Sequence, residues 1–139
     1  MVFSQRWIMT ENIQVTPYEL AGGEAAILSL VERFYFFMDT LPEAAGIRAM
    51  HAEDLSGART KLFKFLSGWL GGPDLFIQEY GHPRLRQRHF PFVIDGAARD
   101  QWMLCMNKAL SEVAMDVNFR ENLRQALQQL ATHMINQAD

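Results

Sequence analysis

An all-α domain is the fold class the sequence predicts, on three observations. Apolar residues recur at spacings of three and four in four long segments. No segment alternates apolar and polar residues in the manner of a half-buried strand. The chain has 139 residues, enough for one core and too few for two ordinary domains. Composition agrees: 49% of residues are apolar and 21% charged, a globular rather than a disordered balance.

The elements follow in order. Residues 1–15 read as an N-terminal arm, and 16–139 as the domain. Thr16-Pro17-Tyr18-Glu19 is a helix start: Thr16 caps, Pro17 suits the first helical position, and Glu19 completes a capping box. Gly22-Gly23 then breaks or bends the chain. Ile27, Leu30, Val31, Phe34, Tyr35 and Met38 share one helix face. Thr40, Pro42 and Glu43 repeat the cap-and-proline pattern for a short turn. Leu55, Ala58, Leu62, Phe65, Leu66 and Trp69 form a second stripe, ended by Gly71-Gly72-Pro73. Residues 73–83 read as loop with one helical turn, and a short helix from about Pro83 to His89 is stopped by Pro91. Asp95 caps a helix whose stripe is Trp102, Cys105, Met106, Ala109, Leu110 and Val113. Asn118 with Glu121 opens the last helix, which carries Leu123, Leu127, Leu130, Ala131 and Met134.

Several function classes are excluded or disfavoured. A net charge of −3 argues against a general nucleic-acid binder. The single Cys105 rules out an internal disulfide and a multi-cysteine zinc site. No apolar run reaches the roughly 20 residues of a membrane span, and the first residues lack the apolar core of a secretory signal. A cytoplasmic location is the expectation. Nucleophile elbow, phosphate loop, dinucleotide fingerprint and His-Glu-x-x-His are all missing.

Four histidines remain: His51, His82, His89 and His133. His82 and His133 read as surface residues. His89 has unusual neighbours in "RLRQRHFPF", residues 84–92, where Arg86, Arg88, Phe90 and Phe92 crowd round it. A neutral imidazole can ligate iron and leave the opposite face of the metal free. A flat cofactor with carboxylates would want arginines at its edge and apolar walls on its faces. On spacing alone, arginines that merely solubilise an exposed turn explain the cluster as well. Tyr35 and Trp102 sit on core-facing stripes, where plain core aromatics are the ordinary outcome. A buried hydroxyl or indole N–H must nonetheless find a partner.

Taken together, several stretches resemble the group II truncated haemoglobins, small haem proteins of bacteria and plants. They are Gly22-Gly23-Glu24, Arg33-Phe34-Tyr35, Asp54-Leu55, Lys61-Leu62, Gly71-Gly72-Pro73, "GHPRLRQRH" at 81–89, and Arg99-Asp100-Gln101-Trp102 with Cys105-Met106. The similarity runs from about Tyr18 to Met134. The resemblance implies a shortened globin fold, two helices over two around a haem, on the stretches 24–39, 53–69, 97–114 and 118–136. It implies haem b, with His89 as the proximal iron ligand. It places Arg86, Arg88 and Phe92 around the haem, Tyr35 and Trp102 as distal hydrogen-bond donors, and Ala58 where most globins carry the distal histidine. Leu62 and Phe65 then wall the pocket. "AMHAEDL" offers Met50 or His51 on the distal side. His51 is chosen because a third polar group would complete the network.

The implied function is binding of dioxygen, nitric oxide, carbon monoxide or peroxide at a five-coordinate iron. Hydrogen bonds to charge-bearing groups are worth about 1.5–3 kcal/mol each, so two would slow release and suit scavenging or redox chemistry better than delivery. One alternative is a peroxidase-like or nitric-oxide-detoxifying enzyme served by a reductase. The other is a cofactor-free helical interaction domain, which predicts colourless protein. The arm and the apolar Trp7 leave room for a homodimer.

Overall fold

Residues 15–138 are described by a computed structural model. The arm expected over residues 1–15 falls almost wholly outside them, and Trp7 with it. Among the described residues there is no strand.

Helix α1 (Pro17–Ala21) opens on the capping box read from sequence. The Glu19 N–H donates to Thr16 Oγ1 at 3.1 Å, and the Thr16 N–H donates back to Glu19 Oε1 at 3.1 Å. Gly22 and Gly23 follow with φ of 116° and 75°, a region L side chains adopt only under strain, and so the chain turns into α2 (Gly23–Thr40). The whole expected stripe of α2 is buried. A 3-10 turn at Pro42–Ala44 leads into the single-turn helix α3 (Ala45–Arg48). Thr40 does not cap that turn. Its hydroxyl donates to the Phe36 carbonyl at 2.8 Å, because α2 still runs through Thr40 and the previous turn lies closest.

Helix α4 (Ser56–Trp69) ends at the expected glycines. Gly71 has a positive φ, and a Cβ on Gly72 would lie 2.3 Å from the Tyr18 ring. The Tyr18 N–H donates to the Leu70 carbonyl at 2.8 Å, so α1 is seated on the end of α4. Residues 73–83 hold more helix than expected. Helix α5 (Leu75–Tyr80) buries Phe76 against α4, and this tertiary packing stabilises a segment whose local signals are mixed.

Helix α6 (Leu85–His89) begins after Arg84, whose φ of 45° makes it the only non-glycine residue with positive φ among those described. Helix α7 (Gly96–Glu112) is capped by Asp95, which accepts from the Ala98 N–H at 2.9 Å. Helix α8 (Val117–His133) is capped by Asp116 rather than opened by Asn118; the carboxylate accepts from the Phe119 N–H at 2.9 Å. Asn118 lies inside the first turn.

Helix α2 packs on α7 and α4, and α7 packs on α8, giving two helices over two. Phe34, Cys105, Met106, Ala109 and Leu127 are completely buried at the centre. Each large apolar side chain so placed contributes about 1.5–3 kcal/mol. One helix stands apart: α6 shares no extended packed face with any of the four.

Candidate functional site

The candidate site residues sit on α2, α4, α6 and α7 and on the segment after α3. Helix α2 supplies Tyr35, which is 5% exposed. Its ring meets Phe34 edge-on, with centroids 4.8 Å apart. Phe34 in turn lies 5.0 Å from the Trp102 ring on α7. The completely buried Phe34 is therefore a spacer that holds the two polar aromatics on one side of the pocket. Neither the Tyr35 hydroxyl nor the Trp102 N–H has a hydrogen-bond partner among the described residues. Burial pushes the Tyr35 hydroxyl well above the ordinary tyrosine range, against a smaller opposite pull from the Arg59 cation. At neutral pH the phenol is thus a proton donor.

His51 follows α3, and its ring meets Tyr35 edge-on at 5.8 Å. Its Nδ1 lies 2.8 Å from the Ile47 carbonyl. A carbonyl only accepts, so a proton sits on Nδ1. Gln101, next to Trp102, accepts from the Ile47 N–H at 3.0 Å and ties this corner to α7. Met50 is half-buried beside His51 and packs toward the core.

Helix α4 presents Ala58, Leu62 and Phe65. All three adjoin the core cluster yet stay only half-buried, an apolar face left partly uncovered. Across the gap, His89 on α6 is half-buried. Its Nδ1 donates to the Leu85 carbonyl at 2.6 Å, which leaves the Nε2 lone pair unused. Phe90, Phe92 and Val93 beside it are 58%, 41% and 61% exposed, a large apolar surface next to one imidazole.

The arginines of α6 are both engaged with backbone carbonyls. Arg86 Nη1 donates to the carbonyls of His133 and Ile135 at 3.1 and 2.8 Å. Arg88 donates to the carbonyls of Pro83 and Tyr80 at 2.5 and 3.4 Å, and its guanidinium lies 5.3 Å over the Phe76 ring. Both fasten α6 to its surroundings. His82 Nδ1 accepts from the Arg84 N–H at 3.1 Å on the surface, as a structural histidine does.

Among the described residues no group of three or more histidine, cysteine or carboxylate side chains is placed to hold a metal. A single imidazole suffices only for a metal that brings its other ligands with it. The uncommitted Nε2, the open apolar face of α4 and the unpartnered Tyr35 hydroxyl fit a flat, apolar, iron-bearing macrocycle such as haem. Sequence reasoning missed Phe34 as spacer, Gln101 as tie and Asn136, whose side chain bonds the backbone of His89. Their partners lie 42 or more residues away or, for Phe34, depend on how α2 meets α7, so no local pattern marks them.

Comparison with known proteins agrees with this geometry. Residues 16–136 match the model of the bacterial-like globin family. The chain is 38% identical over 123 residues to the group 2 truncated haemoglobin YjbI of Bacillus subtilis, covering 88% of this chain and 90% of that one. The cold-adapted truncated haemoglobin of the Antarctic bacterium Pseudoalteromonas haloplanktis superposes with a TM-score of 0.86 at 53% identity, over 88% of this chain and 99% of that chain. The group II 2-on-2 haemoglobin of Agrobacterium tumefaciens gives 0.87 at 44% identity, over 94% and 100%. The chain belongs to the bacterial-like globin family and, within it, to the group II truncated haemoglobins, whose two-over-two helical fold it shares.

Proposed function

We propose that this truncated globin holds haem b through His89 in a five-coordinate resting state and retains diatomic ligands by hydrogen bonds from Tyr35 and Trp102. Membership of the family implies haem-based binding of ligands such as dioxygen; the residue roles are those the resemblance implies, supported by the burial and ring contacts of Tyr35 and the Nδ1 contact of His89. The haem, when bound, would supply the iron that binds the diatomic ligand. The chain does the rest. The Leu85 carbonyl holds the His89 ring through Nδ1 and leaves Nε2 as the nitrogen that would bind the iron. Ala58, Leu62 and Phe65 exclude water from the macrocycle, and Phe92 covers its edge near α6. Arg86 and Arg88 keep further N–H groups for the carboxylates at that edge.

Tyr35 carries the functional reading. It is a buried, protonated phenol with an idle donor, held near Trp102 by the Phe34 ring between them. His51 lines the same corner, its ring edge-on to Tyr35 and its Nδ1 committed to the Ile47 carbonyl; Tyr35 has a single proton to give, so the donors counted toward the ligand are Tyr35 and Trp102. Two donors at about 1.5–3 kcal/mol each slow release by two orders of magnitude or more. Slow release serves scavenging or redox chemistry on dioxygen and nitric oxide; carbon monoxide, a poor acceptor, gains less. Two donors also suit polarising the O–O bond of peroxide with an external reductase, the second reading, which steady-state peroxide turnover against a His89→Ala control tests.

The purified protein is expected to show the intense visible absorption of haem, lost or weakened in His89→Ala. Stopped-flow release of dioxygen is expected to speed up at least 100-fold in Tyr35→Phe combined with Trp102→Leu. An unchanged off-rate removes both residues from the distal role, and colourless protein removes the haem reading altogether.

A further inference from the structure

Helix α6 carries the proximal histidine without a packed helix face behind it. Its position is fixed instead by polar contacts to the chain just beyond α8. Arg86 reaches the His133 and Ile135 carbonyls. Asn136 does more. Its Nδ2 donates to the His89 carbonyl at 3.2 Å and to the Phe92 carbonyl at 3.0 Å. Its Oδ1 accepts from the Ile94 N–H at 3.0 Å. The main-chain N–H groups of Asn136 and Gln137 both donate to the Ile94 carbonyl, at 2.8 and 3.1 Å. A carbonyl can only accept and an N–H can only donate, so the amide has one orientation that satisfies all three partners. Aspartate offers acceptors alone, and alanine offers nothing.

We propose that Asn136 is a positioning residue for the proximal histidine: by binding the backbone at 89, 92 and 94 to the C-terminal tail, it sets the height and tilt at which His89 Nε2 meets the haem iron. This rests on the reading that His89 holds that iron. The imidazole is pinned at one end by the Leu85 carbonyl within α6. The α6 backbone as a whole is pinned by Asn136. Releasing the second pin moves ring and helix together, and the change appears at the iron–imidazole bond before it appears in the helical core.

The test uses the haem-loaded protein with Asn136→Asp and Asn136→Ala. Asp keeps the acceptor for Ile94 but replaces both donations by a carboxylate oxygen set against the His89 and Phe92 carbonyls, so it breaks that fastening at nearly constant shape. In the ligand-free ferrous state both variants are expected to shift the iron–imidazole stretching band in resonance Raman spectra. Both are expected to pass haem to an acceptor apoglobin at least about tenfold faster, the effect of losing the two neutral hydrogen bonds that both variants delete. Amide exchange is expected to quicken across residues 88–92 in both, and at Ile94 in the alanine variant alone. Asp116→Ala is the control: it weakens the far end of α8, lowering the melting temperature while leaving the Raman band in place. Should Asn136→Ala fail to fold, Asn136→Asp decides. A band and a transfer rate unchanged from wild type in Asn136→Asp overturn the proposal. If the wild-type protein takes up no haem, the haem reading fails by itself. Amide exchange then judges the fastening, and equal exchange in wild type and both variants overturns it.

Discussion

Phe34 shows how much one side chain can govern at the residue scale. It has no polar atom, yet its ring separates Tyr35 from Trp102 at contacts of 4.8 and 5.0 Å. Phe34→Ala is expected to cost about 3–5 kcal/mol in chemical denaturation, as a fully buried ring replaced by a cavity does. The two distal donors lose their common support at the same time. In a colourless-core reading Phe34 is merely large; in this pocket it is the gauge between two N–H and O–H groups. Tyr35, Trp102 and His89 were singled out by the resemblance to the group II truncated haemoglobins, since on spacing alone each could be an ordinary core or surface residue. Phe34 and Asn136 were not. A phenylalanine on a core stripe resembles its neighbours, and an asparagine near the chain end finds its partners only after α6 folds against the tail.

Helix ends are the element-scale lesson. Thr16 and Asp95 could be read as caps because each finds its partner within three residues. Asn118 misled for a similar reason: Asp116 two positions earlier competes for the same role, and the path of the chain out of α7 decides in its favour. Asp116→Ala is expected to cost about 0.5–2 kcal/mol, measurable as a lower urea midpoint with unchanged slope. The long helices α2, α4, α7 and α8 were legible from stripes of apolar residues, each bounded by glycine, proline or an acidic cap. Helix α5 was not, since Phe76 is ordered by α4 rather than by its own neighbours. The dependence of α6 on tail contacts lies beyond any local pattern for the same physical reason.

For the molecule as a whole, one exposed ion pair gives stability a dependence on acid pH. Arg124 and then Gln125 hold the Glu121 carboxyl down at about 2, below its usual range. A carboxyl depressed on folding adds stability above its unfolded value and loses it as pH falls through the folded one. The loss therefore runs from about pH 5 down to about pH 2. Glu121→Gln is expected to flatten the melting-temperature curve in that window. The group is fully exposed, so the difference between the two curves is expected to shrink in high salt. The seat of α1 on α4 constrains the molecule in another way. With the Tyr18 ring lying where a Cβ of residue 72 would be, the two positions are not independent choices. A bulkier residue can enter at 72 only in a chain that has first surrendered the ring at 18. Evolution or an engineer must therefore alter them as a couple, in that sequence, or leave both alone.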